Sequence, residues 1–431
     1  MKQHPRLWVY NYDFEFELAN ELRVYRDQSG FYPWFFLNRS WHVLLPMAKA
    51  SDSILAYEEP HAVVAKDLEK KLGDLPHFLV LKPERESNAV FEDLDSQHTS
   101  SWHSECRCLS PWGWSQKSIS FGKMMGSPEI GKVDVQTINW LNSKKTSCTL
   151  RQEILPEPLR IPGKIIEGAD LKKEALEKIV TRFMQQHGHV FVKHPYGSAG
   201  KLSDVCVTPH FSDRKIRKWK NWIRVAGGIV LEKSVSILQE WSVQVQIDVD
   251  GFLHPLALTR LFSTPNGNYL GTLIADADQK RLDSHIDSLR PVLNKIVETG
   301  YAGPLGIDLI ETTAGEIKLL EINGRLTMGR TAFEWHRRIS EMPFSLFTNL
   351  IFKTGQFLDF KVTMDRIRNA EQQHGFPVTL LNFVQDVSRN GLLISLLIEG
   401  DDPHNIWRLL DNLKSFLLTF QELENIKYLN S

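Results

Sequence analysis

Asp308, Glu321 and Asn323 are three oxygen-bearing side chains that the local pattern brings onto one small platform. The apolar runs Gly306–Glu311 and Leu319–Ile322 flank Thr312-Thr313-Ala314-Gly315-Glu316, which predicts a β-hairpin. A turn centred on Ala314-Gly315 sets Asp308 directly opposite Glu321, and strand alternation puts Asn323 on the face of Glu321. Carboxylates facing each other across a ladder at about 5 Å repel, so a cation is the simplest reason for the chain to tolerate them. Two acids and an amide suit magnesium, a hard ion that takes few protein carboxylates and leaves its remaining positions to water and phosphate oxygens. The competing reading is an exposed hairpin with solvated acids, and the adjoining Asn323 and Arg325 weigh against it.

Two further stretches upstream suit the same chemistry. Val190–Lys193 reads as a strand running into His194-Pro195-Tyr196-Gly197-Ser198-Ala199-Gly200, where small residues let backbone N–H groups approach phosphate oxygens and Lys193 adds a point charge. It is not a Walker loop, because the lysine precedes the glycines and no G-K-[ST] follows. By itself the segment could be an ordinary strand–turn. Ahead of it, Leu176, Ile179, Val180, Phe183 and Met184 recur at helical spacing, with Asp170 as the expected cap and Gly188 as the expected stop. Downstream, Gly227–Lys233 reads as a short strand leading to a hinge-like Ser234–Glu240. Then Trp241, Val243, Val245, Ile247 and Val249 alternate with polar residues as in a half-buried antiparallel strand. A segment between two strands exposes backbone groups that can read an adenine edge, and an acid beside it can accept from ribose hydroxyls.

In this order the signals resemble the ATP-grasp superfamily over roughly residues 140 to 330. The resemblance implies an α/β (α+β) fold in which two lobes sandwich ATP. It implies that Lys144, with Lys145 as competitor, and Lys193 contact the nucleotide while Gly197, Ser198, Ala199 and Gly200 close over its phosphates. Glu232, Lys233 and Val235 would line the adenine pocket, with Glu240 on the ribose. Asp308, Glu321 and Asn323 would hold Mg2+, with Mn2+ as a substitute, and Arg325 and Lys193 would serve catalysis. Arg260, on a strand at Leu256–Arg260, could also reach a phosphate; a surface arginine is the competing reading. The implied reaction activates a carboxylate as an acyl phosphate and joins it to an amine, releasing ADP and phosphate. A kinase of the same superfamily and a non-catalytic nucleotide-binding module are the alternatives.

Lys201 departs from the pattern, standing where many members keep a small residue. The N-terminal segment shows no glycine fingerprint. Its Ser101–Cys108 stretch crowds His103, Cys106 and Cys108 too closely for a zinc tetrahedron, so a packed or mobile loop is expected instead.

The organisation expected around these residues is a small α/β domain (1–135), a small lobe (136–225), a large lobe with the metal site (226–350) and a C-terminal hairpin–helix appendage (351–431). The first domain shows strands near Leu7–Tyr10, Ser53–Tyr57 and Phe78–Leu81 and a helix over Ala62–Leu72, with Ser118–Lys132 reading as a loop or linker. In the tail, Val378–Val387 and Leu392–Ile398 flank an Asn390-Gly391 turn, and a helix capped by Asp402 follows, with Pro403 at its first position. The 431 residues carry a formal net charge of −1, which removes any general electrostatic case for nucleic-acid or membrane binding. With no signal-like apolar start and only four scattered cysteines, a cytoplasmic protein is expected. Its partners are expected to be small-molecule or peptide carboxylate and amine substrates, with homodimerisation left open.

Overall fold

A computed structural model describes residues 4–18, 38–82, 90–96, 108–128, 133–172, 174–197, 202–263, 269–353, 358–386 and 391–418. The first sheet consists of β1 (Arg6–Val9), β2 (Ser53–Ala56), β3 (His77–Val80) and β4 (Cys108–Pro111), in the order β3-β2-β1-β4. Every pairing in it is parallel, and the helix Ala62–Leu72 links β2 to β3 as the periodicity predicts. The expected linker is different. Its first part is a helix, Gln116–Met124, started by a reciprocal capping box between Ser115 and Ser118. A serine-rich stretch reads as a loop until the serines are seen to be capping a helix.

The second sheet consists of β5 (Gly163–Ile166), β6 (Val190–Lys193), β7 (Ser203–Cys206) and β8 (Ile229–Lys233), in the order β5-β8-β6-β7. Helices Leu176–His187 and Asp213–Ala226 bury Ile179, Val180, Phe183, Trp219 and Trp222 in one core with Val190, Val192 and Leu231. Gly188 ends the first of these helices at φ +79°, a left-handed conformation that suits glycine. Asp170 is not its cap. It belongs to the preceding short helix Gly168–Leu171, where its Oδ2 accepts from the Glu167 amide at 2.9 Å.

The third sheet has eight strands: β9 (Ile237–Ile247), β10 (Leu253–Ser263), β11 (Tyr269–Ala275), β12 (Gly303–Thr312), β13 (Ile317–Asn323), β14 (Phe344–Lys353), β15 (Val378–Asp386) and β16 (Gly391–Gly400). Their order is β13-β12-β9-β10-β11-β14-β16-β15, with antiparallel pairing throughout. The C-terminal hairpin is therefore not an appendage. β16 pairs with β14 along its whole length and makes β15 the far edge of the large sheet. Helix Pro403–Leu418 covers it through Ile406, Leu410 and Leu413, and Asp402 accepts from the His404 amide at 2.7 Å.

The odd-numbered residues of β9 (Trp241, Val243, Val245 and Ile247) share a core with Ile286, Leu289, Val292 and Leu293 of helix Leu282–Glu298. On the other face, helix Met328–Ile339 starts close above Gln244 and Thr259. A Cβ at Gly329 would lie 2.4 Å from the Gln244 amide nitrogen and 3.0 Å from the Thr259 hydroxyl. Glycine there allows the close approach. Among the described residues no helix is long and apolar enough to cross a membrane.

Candidate active site

The hairpin forms, and Asp308 faces Glu321 as expected. Gly306, Ile307 and Asp308 face Asn323, Ile322 and Glu321. Beyond Asp308 the ladder shifts and Leu309 faces Leu319, so Leu320 is an extra residue in β13. Arg151, from helix Lys144–Glu153, fills this bulge by donating from Nη1 to the Leu319 and Leu320 carbonyls, both at 3.1 Å. Its Nη2 reaches Glu232 at 2.6 Å. One arginine, 1% exposed, thus ties the hairpin to strand β8 of the second sheet. The sequence reading missed it, although an arginine within an otherwise short-side-chain helical turn (Ser147-Cys148-Thr149-Leu150) was a usable signal.

Asp308 accepts from the Ser242 hydroxyl at 2.6 Å and from the Asn323 amide at 3.0 Å. Behind them Gln244 donates to Ser242 at 2.8 Å and accepts from Thr327 at 2.6 Å, which fixes the row on the face of β9 opposite helix Leu282–Glu298. Burial pushes the Asp308 carboxyl up to about 6; the Ser242 hydrogen bond opposes the rise and the Glu321 charge adds to it. A hard dication would relieve the strain that two facing carboxylates create, and the Asn323 amide oxygen offers a third donor. Among the described residues no group of three or more His, Cys, Asp or Glu side chains is placed to hold a metal, so an ion here would need ligands from a bound molecule or water.

Glu321 accepts from the Lys144 ammonium at 2.5 Å, and the same nitrogen donates to the Gly197 carbonyl at 2.6 Å. Lys145, one residue on, points elsewhere, to Glu167 and the Gly227 carbonyl. Ser143 caps the helix, accepting from the Lys145 amide at 3.2 Å, and this fixes which lysine of the first turn faces the hairpin. At the end of β6, Lys193 pairs with Glu232, which is 4% exposed and also holds Arg151. Burial works to raise the Glu232 carboxyl, but the two cations outweigh it and hold it at about 2. Its carboxylate therefore seats Lys193 and Arg151. Ser198, Ala199 and Gly200 lie outside the described residues.

The connection from β8 to β9 crosses between the sheets. Lys233 and Ser234 donate their amides to the Pro162 and His189 carbonyls at 2.9 and 2.8 Å, whereas the Val235 amide makes no hydrogen bond among the described residues. Glu240, two residues before Ser242 and on its face, accepts from Ser263 at 2.8 Å. Arg325 donates to the Asn323 amide oxygen at 3.3 Å and the Leu326 carbonyl at 2.9 Å, and its guanidinium lies 5.9 Å from the centre of the Trp112 ring.

Arg260 does not join this group. It pairs across the ladder with Trp241, and Trp241 with Leu309, so its side chain leaves the face opposite Asp308. There it makes a bidentate bridge to Asp278 at 2.6 and 2.7 Å and lies over the Trp241 ring at 5.2 Å. The expectation that it reaches a phosphate fails on strand parity.

Beyond Arg325 a cavity of about 630 Å³ opens between the first sheet and the large one. Arg6, Trp8 and Ser110 of the parallel sheet, Trp112 and Trp114 after β4, and one face of helix Met328–Ile339 line it. The Leu326 amide donates to the Trp112 carbonyl at 3.1 Å, joining the cavity wall to the exit of the β12–β13 hairpin.

No family model matches the sequence, and no curated protein matches it either. Solved structures do. The biotin carboxylase domain dimer of 2-oxoglutarate carboxylase from Hydrogenobacter thermophilus, in complex with MgADP, ADP and bicarbonate, superposes with a TM-score of 0.54 at 12% identity over 97% of this chain and 90% of that one. The β-γ-ATP complex of biotin carboxylase from Campylobacter jejuni gives 0.52 at 13% identity, covering 94% of this chain and 89% of that one. N5-carboxyaminoimidazole synthetase from Staphylococcus aureus, complexed with ADP, gives 0.51 at 12% identity, covering 96% and 98%. The chain has the ATP-grasp fold, with the preceding parallel domain and the C-terminal hairpin inside the matched region.

Proposed function

We propose that this protein is an ADP-forming ligase that phosphorylates a carboxylate with ATP and transfers the acyl group to an amine. The observation that carries the reading is the Lys144 ammonium held between Glu321 of the metal hairpin and the Gly197 carbonyl at the entrance to the small-residue loop. It stands where charge on a transferring phosphoryl group would need offsetting. The solved neighbours hold ADP, MgADP or β-γ-ATP, which supports a nucleotide between these lobes.

In this reading the Val235 amide meets the adenine edge, Glu240 the ribose, and Lys193, seated by Glu232 and Arg151, the phosphates. Asp308, Glu321 and Asn323 would hold Mg2+, which when bound offsets the negative charge of the β- and γ-phosphates. Lys144 and Arg325 flank the path from nucleotide to acid. A carboxylate is a poor electrophile and repels a nucleophile; as an acyl phosphate it loses both defects, and attack by the amine expels phosphate. Arg325, beside Asn323 and at the mouth of the Trp112-walled cavity, would hold the reacting carboxyl and balance charge as the phosphoryl group arrives.

The test is the fate of the nucleotide with purified protein, magnesium, ATP and pools of acids and amines. ADP and phosphate released in an acid- and amine-dependent way is the expected result. Stoichiometric AMP would mean an adenylate and overturn the mechanism, and a stable phosphorylated product formed without the amine would mark a kinase.

A further inference from the structure

The cavity beside Arg325 carries a charge pattern that the reaction itself does not require. Six of its lining side chains are cationic (Arg6, Lys49, Arg325, Arg330, Arg337 and Arg338) against only Asp248 and Glu334. Arg330, Glu334, Arg337 and Arg338 follow i, i+4, i+7 and i+8, so one face of helix Met328–Ile339 presents them to the cavity. Glu334, 5% exposed, is fully engaged. Its Oε1 accepts from Arg330 Nε at 2.8 Å, and its Oε2 from Arg337 Nε and Nη2 at 3.0 and 2.7 Å. Two guanidiniums on one buried carboxylate leave a positive residue. The terminal nitrogens of Arg330, a side chain 18% exposed, have no partner among the described residues. Farther along, Arg338 Nη1 donates to the Pro46 and Ala48 carbonyls at 3.1 and 3.2 Å, which leaves its remaining donors for another group. The helix rise separates Arg330 from Arg338 by about 12 Å, so the cations form a row leading away from Arg325. Across from it stand the rings of Trp8, Trp112 and Trp114.

We propose that this cavity selects an acid bearing a second oxyanion, a carboxylate or a phosphate, remote from the reacting carboxyl, with Arg330 gripping that second group through its free fork. The reacting carboxyl sits at Arg325, the substrate's body lies along the tryptophans, and the distal anion neutralises the positive residue over Glu334. The inference rests on the ligase reading for which carboxyl reacts, and on the cavity alone for the distal anion.

Two measurements test it. With magnesium-ATP and hydroxylamine as the trapping amine, hydroxamate formation is compared for butyrate against glutarate and for glycolate against phosphoglycolate. The two-anion member of at least one pair should be preferred at least tenfold in kcat/KM, and the pair showing it tells carboxylate from phosphate. Arg330→Gln should abolish the preference and Arg330→Lys restore part of it. Without nucleotide, calorimetry with glutarate and phosphoglycolate should show binding to the wild type that Arg330→Gln weakens at least fivefold. Arg337 still holds Glu334 in that variant, so its melting temperature should stay near that of the wild type. If Arg330→Gln does not fold, the wild-type substrate preference and the Arg330→Lys variant decide. Equal use of one- and two-anion acids, binding indifferent to residue 330, or no binding of either probe would overturn the proposal. Arg330-dependent binding without any hydroxamate or ADP would sink the ligase reading and leave the anion site standing.

Discussion

The two faces of β9, β10 and β12 both carry charged side chains, Asp308 and Glu240 on one and Arg260 and Glu311 on the other, and they serve different ends. On one face Asp308, Ser242 and Glu240 look toward the second sheet, with Lys144 and Asn323 completing the group. On the other, Arg260 is locked to Asp278, and Trp241 donates to Glu311 at 2.9 Å while the Arg281 guanidinium lies 4.7 Å from its ring. This second face lies against helix Leu282–Glu298 and is closed. Among the described residues its ions pair with one another, Arg260 with Asp278 and Arg281 with Glu311. The first face keeps two carboxylates opposed, with a carboxyl pushed up to about 6, an arrangement that protein groups only partly relieve. An ion pair that satisfies itself argues for architecture, and a cluster that does not is where a functional role is worth testing.

Substitutions can break that contrast. The largest expected effect is on the open face. Asp308→Asn or Glu321→Gln should lower turnover by about three orders of magnitude with the fold retained, since a metal ligand and its charge are lost together. Near-wild-type turnover in either folded variant would remove that residue from the metal site. Next, Arg325→Met should cost roughly two orders of magnitude in kcat with little change in ATP affinity, because its charge matters most as the phosphoryl group moves. Lys193→Met should weaken nucleotide binding and slow turnover together, and calorimetry beside steady-state kinetics separates the two patterns.

The closed face sharpens the comparison from the other side. Arg260→Gln should leave turnover within about twofold while lowering stability by roughly 2 kcal/mol, because Asp278 stays buried without its bidentate partner. A large loss of kcat in that folded variant would return Arg260 to catalysis. The smallest effect is a pH dependence at Glu232, whose folded carboxyl lies at about 2 against an ordinary 4.5. A depressed carboxyl contributes stability that is complete above its unfolded value and is lost as pH falls toward its folded value. Urea unfolding should therefore show the gap between wild type and Glu232→Gln narrowing by about 1 kcal/mol from pH 6 to pH 3.5. A constant gap would mean that Lys193 and Arg151 do not hold Glu232 ionised.

Local pattern was enough to find the hairpin. The hairpin pattern put Asp308 opposite Glu321, and the alternation from Trp241 to Ile247 fixed which side chains of β9 enter the apolar core, although Ser242 and Gln244 on its other face are buried as well. The pairing of Asp308 with Glu321 also depends on the bulge at Leu320, which local pattern did not show: nearest the turn Glu311 faces Ile317, a register that without the extra residue would set Asp308 against Leu320. Strand ends and helix stops such as Lys193 and Gly188 were legible for the same reason: they depend on residues a few positions away. The capping role given to Asp170 went wrong within that range, because a four-residue helix competes for the same side chain.

What only the tertiary structure decided were matters of long range. Arg260 could be assigned to a face only once β10 was paired with β9, since a slip of one residue would have turned it toward Asp308. Lys144 was separated from Lys145 by where the Gly197 carbonyl and Glu321 lie, 53 and 177 residues downstream. Glu232 met Arg151 across 81 residues, and the row from Arg330 to Arg338 became a cavity wall only when Trp8 and Trp112 of another sheet were laid against it. The sequence by itself determined the periodicities, the turns and the order of chemical groups, because those follow from neighbours in the chain. Which of these groups face one another, and which face is left open to a ligand, follows from sheet order and layer packing, which bring together residues that no local pattern relates.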